Sequence, residues 1–316
     1  MQPTGALHLG NYLGALKQWV DLQDKHPAIF CIVDYHAITI KYDPRDLPKK
    51  ITELAIDYLA AGLDPDKSII FVQSQVPEHT ELAWIFNTLT PIGQLERMTQ
   101  FKDKAKDNKD NINAGLFTYP ILQAADVLLY KANLVPVGED QVQHVELMRG
   151  IARRFNNTFG RTFPEPKVLL TKAARIMSLA DPSAKMSKSK GEKHYIALND
   201  SPQTIRAKVK SAVTDTTGAS KSPGVTNLLG ILSELGDGNV FKDLTDQHKK
   251  GKLQYSTLKD EVAKAIISHL SPFQERRKEL EKNHDKIAEI LIDGADRASA
   301  IAQKTMTEVR QKIGVR

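Results

Sequence analysis

The 316-residue sequence predicts an α/β fold, a parallel sheet covered by helices, followed by an all-helical domain. Three observations carry this expectation. Up to about residue 165, short apolar runs alternate with segments of helical period, the pattern of crossover units on a parallel sheet. From Ser201 onward the strand signals vanish. An apolar content of 41% in 35.2 kDa is enough for the core of one large domain or of two ordinary ones.

Taken in order, residues 28–33, 68–72 and 134–137 read as strands, being too short and too continuously apolar for amphipathic helices. Between them Leu9, Tyr12, Leu13, Leu16, Trp19 and Val20 recur at helical spacing, as do Leu47, Ile51, Leu54, Tyr58 and Leu59. Those stripes should cover the sheet faces. Residues 102–113 are nearly all polar or charged, with too little apolar area to pack, and a mobile loop is expected there. Ser201-Pro202 reads as an N-cap followed by proline at the first helical position. Successive helices follow, and the long stretch 273–313 is expected to break near Asp293-Gly294. The resulting division is 1–183 for the α/β domain, 184–190 for a connecting loop and 191–290 for the helical domain. A last helix over 291–316 is expected to pack back near the first domain.

No stretch approaches the roughly 20 apolar residues needed to cross a bilayer, and the N-terminus lacks the basic flank and apolar run of a secretory signal. A chain of the cytoplasm, or of an organelle matrix, is expected. Cys31 is the only cysteine, so no internal disulfide exists, and its apolar run reads as a strand holding an inert thiol. The net charge of +6 is unevenly placed: residues 185–316 hold 24 Lys/Arg against 17 Asp/Glu, and the preceding part is close to neutral. A polyanion bound by the C-terminal part would gain from phosphate neutralisation and counterion release; a solvated helical surface is the alternative.

Two segments could carry chemistry. In Gln2-Pro-Thr-Gly-Ala-Leu-His-Leu-Gly-Asn11, glycines and a histidine stand where the first helix begins. Glycine lets a nucleotide approach the backbone, the helix N-terminus offers unpaired N–H groups to phosphate, and His8 and Asn11 share one face. Such turns also serve as plain caps. In Lys185-Met-Ser-Lys-Ser189, two lysines on a serine-rich segment could bring two positive charges to a triphosphate and stabilise departing pyrophosphate. Alone, such a loop is equally a solvated connection, but this one lies where the α/β and helical parts meet, a usual place for ligand clefts. His36, His144 and Cys31 lack the spacing of a metal site, and no structural metal is expected.

Together, and in this order, His8-Leu-Gly-Asn11 and Lys185-Met-Ser-Lys-Ser189 closely resemble the paired signature of the class I aminoacyl-tRNA synthetases. The resemblance implies a Rossmann-like catalytic domain in which the first motif cradles ATP and the second closes on its phosphates. The segments 32–39, 96–102 and 135–147 further resemble the tryptophanyl-tRNA synthetases, so that the likeness covers nearly the whole chain. It implies catalytic roles for His8, Asn11, Lys104, Lys185 and Lys188, and an ATP site of Gln2, Thr4, Gly10, Asn11, Gly138, Asp140, Lys185, Met186, Ser187, Lys188 and Ser189. It implies magnesium carried by the ATP phosphates, tRNA(Trp) as partner, a homodimer, and anticodon binding by 191–290.

For tryptophan, an indole needs a broad apolar slot and one acceptor for its only polar hydrogen, which an ionised carboxylate supplies. Asp126 is the expected acceptor, with Ala124 and Ala125 leaving room beside it and Tyr119, Gln123, His36, Val33 and Gln141 completing the tryptophan site. Gln141 and Asp140 follow a strand end, where a substrate meets side chains; they are assigned to the amino end of tryptophan and the ribose of ATP. Asp126 also reads as a helix-surface residue between core positions. Two departures from the family pattern stand out. Relatives commonly have a strand before the Gln2-Pro-Thr-Gly5 segment, and here Met1 stands next to it, so the first strand reads as missing. Gln123 stands where many relatives have methionine, a feature similar to tyrosyl-tRNA synthetases. The alternatives are therefore a tyrosine enzyme, a nucleotidyltransferase acting on a small metabolite, and a catalytically impaired tRNA-binding paralogue.

Overall fold

The computed structural model describes residues 1–101, 111–170, 175–214 and 222–315. The expected loop at 102–113 falls mostly outside these residues, and so does Lys104.

The chain opens into a helical segment, α1, made of Leu9–Asn11, a π-helical stretch Tyr12–Leu16 and Lys17–Gln23. Strand β1 (Ala28–Ile32) runs through the short α2 (Asp34–Ala37) and the amphipathic α3 (Leu47–Ala61) into β2 (Ser68–Val72). After α4 (Glu78–Leu89), α5 (Ile92–Glu96) and α6 (Ala114–Leu128) come β3 (Leu134–Val137), α7 (Val142–Phe159) and β4 (Lys167–Leu170). The described strands form two parallel pairs, β1 with β2 and β3 with β4, in registers Ala28 to Ser68 and Leu134 to Lys167. Parallel pairing requires a long crossover, which helices supply here as the alternating pattern predicts. Strand β4 was not among the expected strands, because its four residues begin with an exposed lysine and end on an exposed leucine.

The all-helical part comprises α8 (Pro202–Ser211), α9 (Pro223–Leu235), α10 (Gly238–Lys249), α11 (Tyr255–Leu280) and α12 (His284–Ile313). Ser201 caps α8 by accepting from the Thr204 N–H, with Pro202 at the first position. One point is a correction. The chain turns at 281–283, and α12 continues through Asp293-Gly294 without a break. Glycine is needed there for packing: a Cβ on Gly294 would overlap the carbonyl oxygen of Ile70, so the helix lies directly on β2. The division placed at 290/291 thus falls within a helix.

Below that crossing, Ala295, Ala298, Ala302, Met306 and Val309 form one buried stripe of α12. It packs in a core with Phe71, Phe86, Ile121 and Phe155. A second core joins Leu9, Leu13, Leu16, Ile32 and Tyr58 of the α/β part to Val225, Leu228, Ile266 and Phe273 of the helical part. Polar ties reinforce that junction: Arg277 meets the buried Asp57 carboxylate, Arg276 donates to the Ala60 carbonyl at 2.7 Å, and Tyr12 and His269 are 2.9 Å apart. No helix among the described residues is long and apolar enough to cross a membrane.

Candidate active site

The opening segment is held by its own turns and by the chain that follows the lysine loop. Gly5 has φ +107°, which a side chain rarely adopts. Leu9 donates to the Ile196 carbonyl and Leu198 to that of Leu7, both at 2.9 Å, so residues 7–9 run antiparallel to 196–198. His8 is extended and caps α1 reciprocally: its Nδ1 accepts from the Asn11 N–H at 3.2 Å, while the Asn11 Oδ1 accepts from the His8 N–H at 3.1 Å. The imidazole is therefore held in place before any ligand arrives. At Gly10 a Cβ would stand 3.1 Å from two His8 ring atoms and 3.5 Å from the Met186 Cβ, so glycine leaves the His8 ring room where the two motifs lie against each other.

The lysine loop is anchored rather than free. Met186 is buried, its N–H donates to the Ile176 carbonyl at 3.1 Å, and Ser178 donates to Ala184 at 2.8 Å. Asn227 of α9 grips the other side, bonding both the N–H and the carbonyl of Met177. Beyond Met186 the chain enters a 3-10 turn, Lys188–Lys190, and the Lys188 ammonium donates to the Thr4 carbonyl at 3.3 Å. Two cations thus bear on His8. Burial first, then Lys188 and Lys185, hold its pKa down at about 4, so the ring is neutral near pH 7. Burial likewise lowers the pKa of Lys188, against an opposing pull from Asp57. A cation half-removed from water, its ammonium donating to a carbonyl, gains from an anion placed beside it.

The second group of residues lies on α6. Tyr119, Gln123 and Asp126 follow one another at four and three residues, hence on one face. Asp126 is nearly buried, and both oxygens are engaged: Oδ2 by His36 Nε2 at 2.8 Å, Oδ1 by Gln73 Nε2 at 2.6 Å and His79 Nδ1 at 2.7 Å. Burial pushes its pKa up, but the hydrogen bonds and charges of His36 and His79 prevail and hold it well below the carboxylate range. Tyr119 reaches His144 Nε2 at 3.2 Å and stands edge-on to His36 with ring centroids 6.2 Å apart; burial raises its pKa to about 12. Gln123 donates to Gln141 at 3.3 Å, and Gln141 to Asp140 at 3.2 Å. Gly138 leads into that 3-10 turn (Glu139–Gln141), where a Cβ would stand 2.8 Å from the Asp140 Oδ1.

The structure brings the expected residues together in two sets: Thr4, His8, Gly10, Asn11, Lys185, Met186 and Lys188 in one, and His36, Tyr119, Gln123, Asp126, Asp140 and Gln141 in the other. Gln2 is half-buried and its carbonyl accepts from Thr4 N–H; Val33 leads into α2. Ser187 and Ser189 follow Met186 in the loop. Gln73 and His79 were not read from the sequence. Their signal was positional, since both follow the C-terminal end of the parallel strand β2. Among the described residues, no group of three or more His, Cys, Asp or Glu is arranged to hold a metal ion.

Comparison with known proteins agrees with this geometry. A tryptophan–tRNA ligase of Streptomyces avermitilis is 48% identical over 324 residues, covering 99% of this chain and 95% of that protein. Tryptophanyl-tRNA synthetase of Campylobacter jejuni, crystallised with ADP and tryptophan, superposes with a TM-score of 0.86 at 37% identity, covering 100% of this chain and 98% of the other. The Mycoplasma pneumoniae enzyme gives 0.89 at 35% identity, covering 100% and 96%. The family described as tRNA synthetases class I (W and Y) matches residues 1–271. With both signature motifs closed on one another in an α/β domain, the chain belongs to the class I tRNA synthetases of the W and Y family.

Proposed function

We propose that this chain activates L-tryptophan with ATP and transfers it to tRNA(Trp). The observation that carries the reading is the nearly buried Asp126 carboxylate, met by His36 and His79, on the same helix face as Tyr119, in a chain whose two signature segments meet at Gly10. A carboxylate that stays charged away from water is a strong acceptor for the indole N–H. Among the described residues Oδ2 is met by His36, and it retains capacity for a second donor.

In this reading the indole lies against Tyr119 with its N–H on Asp126, and Gln141 orients the amino end, so that the carboxylate is in line with the α-phosphorus of ATP. Neutral His8 and Asn11 steady the nucleotide, and Asp140 accepts from its ribose. A carboxylate oxygen bonds to the α-phosphorus as the bond to the bridging oxygen breaks, and Lys185 and Lys188 stabilise the charge on the departing pyrophosphate. A ribose hydroxyl at the tRNA terminus then attacks the acyl carbon, and AMP leaves. Magnesium would come with ATP, bound chiefly by phosphates and water.

The helical part, with its excess of Lys and Arg, is the proposed anticodon contact. A homodimer is supported by the exposed Trp84 and Ile92, 72% and 66% accessible on neighbouring helices. The cytoplasm is the proposed location. The tyrosine alternative rested on Gln123, whose amide is here engaged by Gln141.

The test is pyrophosphate exchange into ATP with each of the twenty amino acids. Exchange that depends on tryptophan alone is expected; exchange that depends on tyrosine, or none at all, refutes the reading.

A further inference from the structure

Asp126 does not stand alone. Oδ1 is occupied by two donors from the far side of the cluster, Gln73 at 2.6 Å and His79 Nδ1 at 2.7 Å. His79 is fully buried, and its Nε2 lies 2.7 Å from the Tyr130 hydroxyl. Tyr130 lies one turn beyond Asp126 in the chain, so the relay closes a ring from Asp126 through His79 and back. Phe71 of β2 walls it, with ring centroids 5.7 Å from His79 and 5.9 Å from Tyr130.

Hydrogen-bond roles follow from chemistry. An ionised carboxylate only accepts, so the Nδ1 of His79 must carry a proton. Burial pushes the Tyr130 pKa far up, so its hydroxyl keeps its hydrogen and can pair with Nε2 as donor or as acceptor. The chain therefore runs from the Tyr130 hydroxyl through the His79 ring to Asp126 Oδ1, with Nδ1–H as the donor to the carboxylate. With Gln73 it fills Oδ1, and Oδ2, met among the described residues by His36, is the carboxylate oxygen open to a further donor.

We propose that His79 and Tyr130, with Gln73, are positioning residues for amino-acid recognition: they occupy Oδ1, fix the plane of the Asp126 carboxylate and present Oδ2 to the amino acid's ring N–H. This rests on the assignment of Asp126 to the indole. A core histidine with no bearing on substrate would share the same burial, but its loss would reduce stability without changing how the site discriminates between ligands. The titratable groups that face Asp126 are His36 from α2, His79 from α4, Cys31 from β1, Tyr130 and the Met1 amine.

The experiment measures exchange kinetics and binding for tryptophan and for an analogue in which sulfur replaces the indole N–H, in H79A, H79N, Y130F and D126N, across pH 5 to 8. Expected for H79A is a rise in the tryptophan KM of about 10-fold or more, the worth of a hydrogen bond to a charged group, with the ATP KM and the analogue affinity near wild type. H79N, whose amide can replace the Nδ1 donor, should recover most of the loss. Y130F should show a smaller rise in the same direction, and in both H79A and Y130F tryptophan binding should fail at a higher pH on acidification. Y130F loses one oxygen only, so it carries the test if H79A does not fold. If D126N discriminates against tryptophan but H79A and Y130F do not, the relay is refuted while the Asp126 assignment survives. If D126N itself leaves the preference for tryptophan over the analogue unchanged, the assignment fails.

Discussion

His8 gives the prediction with the best-defined magnitude. Its ring is buried, caps the first helix through Nδ1 and feels Lys188 and Lys185, which together with burial hold its pKa at about 4 against an ordinary 6.5. The unfolded chain therefore takes up a proton as pH falls through 6.5, whereas the folded chain refuses it until about pH 4. Stability from this group is fully present above 6.5 and declines between the two values. At 1.36 kcal/mol per pH unit the loss is roughly 3 kcal/mol over that window. The perturbation is H8N, which keeps a short polar side chain at the cap and cannot titrate. Urea unfolding at half-unit steps from pH 7.5 to 4 should show the wild-type stability falling by about that amount relative to H8N. Parallel curves for the two proteins would refute the claim that His8 is held neutral. The functional corollary is that phosphate charge beside His8 should raise its pKa, so that saturating ATP reduces the difference between the curves.

Three further predictions concern the loop and the packing. K188A should lower the rate of adenylate formation about 100-fold or more, as for loss of a donor to developing charge, with tryptophan affinity nearly unchanged in pre-steady-state measurements; an unaltered rate would make the loop structural. G294A should destabilise by about 1–3 kcal/mol despite the better helix propensity of alanine, because the added methyl meets the Ile70 backbone; a stabilised variant in thermal melts would contradict the crossing. R277L should cost about 3–5 kcal/mol by leaving Asp57 buried without its partner, and R277L/D57L should regain much of it; equal loss in both would argue against a coupled pair.

Much of this protein was legible in one dimension. The alternation of apolar runs and helical stripes located β1, β2, β3, α1 and α3, because strand and helix periods are local properties of the chain. The Ser201-Pro202 cap was equally local. The two signature segments could be recognised by residue type and order, and Gly5, at φ +107°, answers to a backbone demand that leaves a mark in sequence. What the sequence could not supply was which distant groups meet. Gly294 looked like a helix break because glycine is a poor helix former, but the strand it crosses lies more than 220 residues earlier. Asp126 could equally have been a surface residue; its charge state depends on donors from α2, the turn after β2 and α4, none adjacent to it in the chain. His79 and Gln73 carried no motif at all. Composition, order and local period therefore specify the elements and the two motifs, while burial and the pairing of remote polar groups belong to the tertiary structure. Desolvation and hydrogen bonding act through space, and no local pattern records them.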